Sequence, residues 1–482
     1  MADPAHPNDP KPRPPAGPEE EPPAGPGPGS SVLASPLDDS GEGSGDGSGD
    51  GSVSGNPGAS RLSRRQLLGT AGGAGLVLGA AGGFAAAASG SGNDGAAAGK
   101  DGSGSANQDE SLASVGLQTV MFHGKHQAGI TDSLQAHGYL VAFDLRPGAG
   151  RKQAAALLRR WTATTDRLMA GKPVDVAGHD TGVARDAGTC ALSVTFGFGH
   201  GFFSRTGLDK QRPRALDPLP DFPSDRLDRS RSNGDLWIQI GANDSLVAFH
   251  ALRALQKEAA GTARIRWQMG GFNRAPGATT EPKTPRNLMG QLDGTNNPKP
   301  SDDDFEGRIF VPSDGSNGDP DWMAGGSYVV VRRIRMLLDD WEKLTVTAQE
   351  KVIGRRKSTG APLTGGTEHT EMKLDATGPD GKPVIPLNAH ARITRPDQNG
   401  GAAMLRRPFS FHDGFDQDGV PDAGLLFICW QADPLRGFVP VQRKLDRGDA
   451  LSPFIRHEAS GLFAVPAWGD GEEYLGQRLL EA

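Results

Sequence analysis

Two short stretches carry the groups in this chain that could do chemistry together. The first is Gly290-Gln291-Leu292-Asp293-Gly294-Thr295-Asn296-Asn297-Pro298; the second opens at His390 and closes on Leu405-Arg406-Arg407. Gly290 and Gly294 let backbone approach a flat ligand closely, and an aspartate between them can face a small molecule held there. A neutral imidazole such as His390 is a common axial ligand of haem iron. Arg392 and Arg395 follow closely enough in sequence to meet the carboxylates of such a group. A guanidinium from Arg406 held over a metal would stabilise the charge that develops as an O–O bond breaks. Together these are an iron ligand, a proton acceptor and a charge stabiliser, the groups needed to split a peroxide on iron. Each alone also fits a plainer role: an Asp-Gly turn, an unligated histidine, solvated arginines, a basic pair at a strand start.

Alternating and striped segments must position these residues. Leu192, Val194, Phe196 and Phe198 alternate with Ser193, Thr195 and Gly197; Ala263, Ile265, Trp267 and Met269 alternate with Arg264, Arg266 and Gln268. Both patterns predict half-buried antiparallel strands. Residues 328–336 form another, with Arg333 and Arg335 on one face, and the apolar run 425–430 fits a central strand. Helical stripes run over 152–169 (Ala154, Leu157, Leu158, Trp161, Leu168) and 244–258 (Val247, Ala251, Ala254, Leu255), the latter capped by Asn243 or Asp244. With strands at 140–145, 191–198, 235–240 and 263–269, the first half reads as an α+β, ferredoxin-like unit. The second half repeats the mixture more loosely, with strands at 327–336, 425–430 and 462–465 and a helix near 338–352. No sequence repeat links the halves, so a duplication is suspected from element order alone.

The front of the chain is different. The 482 residues include Gly 69 and Pro 37, concentrated before residue 110, and the net charge of −7 offers no electrostatic case for nucleic acid. Residues 1–60 are a Pro/Gly/Ser-rich stretch expected to be disordered. Residues 61–90 place Arg61 and Arg64-Arg65 before a mild apolar run ending in small residues, and Ser63-Arg64-Arg65-Gln66-Leu67-Leu68 resembles a twin-arginine signal peptide. An uncleaved anchor is the alternative, and the long lead would also fit a later translation start. Either way the folded part is expected outside the cytoplasm, in the envelope, the periplasm or the medium. Residues 91–112 read as a tether, 113–275 as the N-terminal domain and 276–482 as the C-terminal, ligand-binding domain. Cys190 and Cys429 form no CxxC, which leaves zinc, iron–sulfur and covalent haem unsupported; a disulfide or two buried thiols both stay open.

The chain resembles the dye-decolourising peroxidases, and within them exported bacterial proteins of the deferrochelatase kind. The landmarks span residues 115–480: Phe122-His123-Gly124-Lys125-His126, Thr195-Phe196-Gly197-Phe198-Gly199, Arg286-Asn287-Leu288-Met289-Gly290 leading into GxxDG, Gly325-Gly326-Ser327-Tyr328, Ile353-Gly354-Arg355, His390-Ala391-Arg392, Phe438-Val439-Pro440, and Leu462-Phe463-Ala464-Val465-Pro466. The resemblance implies two ferredoxin-like antiparallel-sheet domains of the dimeric α+β barrel type. It implies one non-covalent haem b per chain, bound mainly by the C-terminal domain. His390 matches the proximal iron ligand, Asp293 the distal acid–base group, with Gly294 and Thr295 beside the haem. Arg406 matches the distal arginine in preference to Arg407, and Arg395, Pro396 and Asp397 match a haem-touching loop. Asp449 is the candidate acidic partner of His390. Pro408 departs from relatives that carry Gly or Asn there. The implied partners are hydrogen peroxide, an organic electron donor and the twin-arginine machinery; self-association stays open. The implied activity is peroxide-driven oxidation of dyes, phenols or other bulky donors through a ferryl intermediate, with Trp322, Tyr328, Trp341 and Trp430 as candidate electron relays. Removal of iron from haem with the porphyrin intact, and simple haem carriage, are the rival activities.

Overall fold

The computed structural model describes residues 115–175, 180–280, 283–469 and 471–482. The expected disordered lead, twin-arginine signal and tether lie outside the described residues. Among the described residues no helix is long and apolar enough to cross a membrane.

The first half runs β1 (His137–Leu145), α1 (Arg151–Met169), β2 (Ser193–Gly199), β3 (Leu236–Ala242), α2 (Ser245–Ala259) and β4 (Ala263–Phe272). Its strands lie in the order β2-β3-β1-β4, all antiparallel, which is the ferredoxin-like arrangement the element order predicts. The apolar stripes of α1 and α2 cover one face, where Val141, Phe143 and Leu145 meet Leu157, Trp161, Ala251 and Leu255. Trp161 also donates its indole N–H to the Leu255 carbonyl of α2 at 2.9 Å. Asp244, not Asn243, caps α2: its carboxylate accepts from the Leu246 and Val247 amides, a contact worth about 1 kcal/mol.

The second half runs β5 (Ser327–Met336), α3 (Leu338–Glu342), α4 (Val346–Ile353), α5 (His390–Ile393), β6 (Leu405–Arg406), β7 (Phe409–Phe415), β8 (Pro421–Gln431), α6 (Phe438–Asp446) and β9 (Ile455–Val465). The order β9-β5-β8-β7 repeats the topology of the first half, with β6 on the same edge of β8 as β7. The helix expected near 338–352 is two helices, because the Thr345 hydroxyl accepts from the Ala348 amide and starts α4 afresh.

The two sheets join at both edges. Phe198 and Gly199 of β2 pair with Ala464 and Phe463 of β9, and Phe272 of β4 pairs with Ser410 of β7. With β5 bonded to both β8 and β9, the sheet closes on itself. Closure buries the strands on both faces, so β2 and β3 are buried along their whole length rather than half-buried. The interior is filled by Leu140, Ala142, Trp237, Trp267, Ile428, Trp430 and Phe463 among others. The alternation read into β4 also breaks. A register shift opposite Ala142/Phe143 adds one residue at Arg266, and a one-residue slip reverses the faces. Ala263 therefore packs under the helices while Trp267 and Met269 point inside, and Ile265 is left 45% exposed.

Candidate active site

A large cavity lies between the outer face of β5, β8 and β9 and the segments packed over it. It encloses about 1540 Å³ of empty space, its open mouth included. The sheet supplies an apolar floor with Ile334, Met336, Leu425, Phe427 and Ile455; α6 adds Phe438, Val441 and Leu445. Most of the polar groups come from three other segments.

The first is the loop 284–297. The Asp293 amide donates to the Pro285 carbonyl at 2.9 Å and the Gly290 amide to that of Asn287 at 2.9 Å, so the chain doubles back on itself. The turn needs Gly290 at φ +78°, and Gly294 follows Asp293 at φ +127°, a backbone region that side chains strongly disfavour. Asn297 fixes the loop to β6: its amide donates to the Arg406 carbonyl at 2.8 Å and its oxygen accepts from the Arg406 amide at 3.2 Å. The Arg406 Nε consequently stands 3.7 Å from Asp293 Oδ1, an ion pair too long for a hydrogen bond.

Strand alternation decides between the two arginines. The extended backbone continues one residue past β6, and successive residues face opposite ways, so Arg406 lines the cavity while Arg407 turns away and donates to the Ser133 carbonyl at 3.0 Å. Burial pushes the Arg407 guanidinium down to about 10, with Asp132 opposing.

The second segment is α5. His390 is its first residue, and its Nδ1 lies 2.7 Å from Oδ2 of Asp449, a carboxylate with a side chain only 1% exposed. The other Asp449 oxygen accepts from the Leu451 amide at 3.1 Å. Nδ1 is thus the donor and Nε2 is left toward the cavity. Burial alone would lower the His390 pKa, but the Asp449 charge and hydrogen bond override it and hold the imidazole above its ordinary value. The acidic partner expected at Asp449 is in contact.

The third segment, 355–374, adds residues that the sequence marks only through the Ile353-Gly354-Arg355 landmark. Arg355 lines the cavity and donates to the Gly360 and Glu368 carbonyls at 2.7 Å. Burial lowers its pKa, Glu368 opposing, and among the described residues no carboxylate forms an ion pair with it. Arg332 of β5 and His457 of β9 also line the cavity; Arg332 pairs with Asp225.

Asp293, Gly294, Thr295, His390, Arg395, Arg406 and Asp449 therefore share one cavity. Arg392, Pro396 and Asp397 do not line it. Arg392 lies two residues past His390, about 200° around a helix, and donates to the Leu374 and Ile385 carbonyls at 2.9 and 3.1 Å. Asp397 instead binds Arg395 at 2.9 Å. The candidate relays Trp322, Tyr328, Trp341 and Trp430 are all buried, at 3% exposure or less, so none is a surface group. Cys190 and Cys429 are buried free thiols.

The cavity suits a flat dianionic iron macrocycle. Its floor is apolar, the His390 imidazole faces it with the far nitrogen anchored, and four arginines (Arg332, Arg355, Arg395, Arg406) line it against two aspartates. Comparison with known proteins agrees. Residues 127–273 match the model "Dyp-type peroxidase, N-terminal" and residues 284–469 the model "Dyp-type peroxidase, C-terminal". The chain is 46% identical over 365 residues to a dye-decolorizing peroxidase of Thermobifida fusca, covering 74% of this chain and 84% of that one. It is 36% identical over 375 residues to a deferrochelatase of Yersinia pseudotuberculosis, covering 75% and 85%. The solved structure of ferric DtpA from Streptomyces lividans superposes with a TM-score of 0.74 at 72% identity, covering 77% of this chain and 99% of that one. The chain belongs to the Dyp-type peroxidase family, and is a haem peroxidase by that membership.

Proposed function

We propose that the cavity holds one non-covalent haem b with His390 as the iron ligand, and that the enzyme uses hydrogen peroxide to oxidise dyes, phenols or other bulky donors. The observation that carries this reading is the shared cavity. It holds an imidazole anchored by a buried carboxylate and, from separate segments, an aspartate 3.7 Å from an arginine. Haem, when bound, supplies the redox chemistry that peroxide drives and that donors then discharge.

The residues divide the remaining work. Asp449 accepts the Nδ1–H of His390, which fixes the tautomer and makes Nε2 a stronger donor to a metal. Asp293 takes a proton from one peroxide oxygen and delivers it to the other, which makes the departing oxygen a better leaving group. Arg406 stabilises the negative charge that builds as that bond lengthens. Arg355, which has no carboxylate partner among the described residues, and Arg395, which also lines the cavity, would balance the haem carboxylates. Thr295 and Gly294 border the ring. The apolar floor keeps bulk water off the reacting oxygens.

The relationship to a deferrochelatase gives the second reading, iron release with the porphyrin intact. Simple carriage would need neither Asp293 nor Arg406. The test mixes haem-loaded protein with peroxide and a phenolic donor. Peroxide-dependent donor turnover, lost in Asp293→Asn while the Soret band persists, supports the peroxidase. Metal-free porphyrin fluorescence without donor oxidation would replace it with the chelatase reading. Export through the twin-arginine pathway to the envelope, periplasm or medium belongs to the same proposal, supported by Ser63-Arg64-Arg65-Gln66-Leu67-Leu68.

A further inference from the structure

The segment 355–374 touches both jaws of the cavity. Toward the Asp293 loop, Glu368 Oε1 accepts from the Thr284 hydroxyl at 2.5 Å and from the Thr295 hydroxyl at 2.9 Å. Arg286, on the same loop, donates to the Lys357 and Ser358 carbonyls at 2.6 and 2.7 Å. Gly360 lies so close that a Cβ there would stand 2.5 Å from Leu292 Cδ1. Toward α5, Met372 is buried with Ile385 and Ala389, the residue before His390. Arg395 donates to Glu371 at 2.6 Å, and the Leu374 carbonyl holds Arg392.

These contacts connect two segments that are far apart in sequence and stand on either side of the cavity. The loop that carries Asp293 is held to β6 by Asn297, and α5 is held to the end of α6 through Asp449; the segment 355–374 bonds to both. Loosening that tie would free the two jaws to move apart. The apolar foot at Met372 is a fixed hinge, since breaking it would expose buried surface. The Glu368 and Glu371 contacts are weaker. Glu371 is 78% exposed, and exposed ion pairs open readily.

Resting on the reading that the cavity takes haem, we propose that residues 355–374 form a clasp across it, latched by Glu368 and Glu371, which sets the rate at which haem leaves. The clasp is a retention device and takes no part in proton transfer. Glu368 and Glu371 act as positioning residues, through the loops they join.

The experiment loads the full-length protein with haem and follows its transfer to excess apomyoglobin by absorbance. Glu368→Ala is expected to release haem about tenfold faster, since it removes two hydrogen bonds to a charged acceptor. Glu371→Ala should release it about threefold faster, as an exposed pair is lost. Glu368→Gln keeps an amide oxygen for both threonines and should restore most of the wild-type rate. Amide hydrogen exchange on the apoprotein gives an independent reading: protection of 357–371 should fall in both alanine variants while β5 and β8 stay protected. Should Glu368→Ala prove unstable, Glu371→Ala, at an exposed position, carries the test. Release rates within experimental error of wild type in the alanine variants, with exchange unchanged, overturn the clasp. A wild-type protein that takes up no haem overturns the functional reading instead, and the exchange measurement then still decides whether the segment is latched.

Discussion

His457 should make the apoprotein acid-labile. It is 8% exposed, its Nδ1 has no hydrogen-bond partner, and burial, with the Arg332 and His390 charges adding, pulls its pKa from 6.5 down to about 3. A proton therefore binds the unfolded chain at a pH where the folded chain refuses it. The stability that the neutral imidazole permits is intact above about pH 6.5. It falls as pH drops below that value and stops falling near pH 3. Between about pH 7.5 and pH 5 the loss is roughly 1.5 units at ~1.36 kcal/mol each, or about 2 kcal/mol. His390 works the other way, since its raised pKa adds stability as it protonates. The comparison that isolates His457 is thus wild type against His457→Gln, in which His390 is common to both. Urea unfolding of each apoprotein at the two pH values, followed by tryptophan fluorescence, gives four free energies. The wild type should lose about 2 kcal/mol more than the variant on acidification. An equal loss in both would refute the argument and mean that water or a rotated ring supplies the missing partner.

Three further outcomes follow from the site. Asp293→Asn should lower kcat/KM for peroxide by about 10²–10⁴-fold, with the Soret band unchanged, in stopped-flow measurements. Arg406→Leu and Arg407→Leu should part company. The first should slow the peroxide step about 10²-fold at little loss of stability. The second should leave that step alone and cost about 1–3 kcal/mol in denaturant unfolding, because the Ser133 carbonyl loses its donor. Asp449→Asn removes the charge but keeps an oxygen for His390, and equilibrium haem titration should show about 10–100-fold weaker binding.

Much of this molecule can be read from the order of its residues. Alternation and stripes place β1 to β5 and the two long helices, although closure buries β2 and β3 on both faces and a register shift interrupts the pattern in β4. The signals fail where distant segments meet. Strands β6 and β7 are separated by Arg407-Pro408, which breaks the alternation, and Pro408 cannot donate to a ladder. Helix α6 has Pro440 in its first turn, where proline is tolerated but reads as a breaker. Arg392 looks suited to the haem because it is near His390 in sequence; helical rotation turns it aside. Glu368 and His457 carry no local mark, since their setting is made by segments far away in sequence; Arg355 is marked only as part of Ile353-Gly354-Arg355. Arg332 and Arg333 do carry one. Two cations inside the run Val329-Val330-Val331-Arg332-Arg333-Ile334 must be paired if buried, and Asp225 and the Asp413, Asp422 and Glu458 carboxylates meet them.

The ring of strands also dictates when the enzyme can become whole. Strand β9 supplies His457 and Ile455 to the cavity and seals the seam against β2, yet it follows that partner by most of the folded chain. Domains form as units during synthesis, so the N-terminal sheet emerges with two raw edges and waits for partners encoded hundreds of residues later. The cavity is therefore complete only once β9 has paired with both β2 and β5.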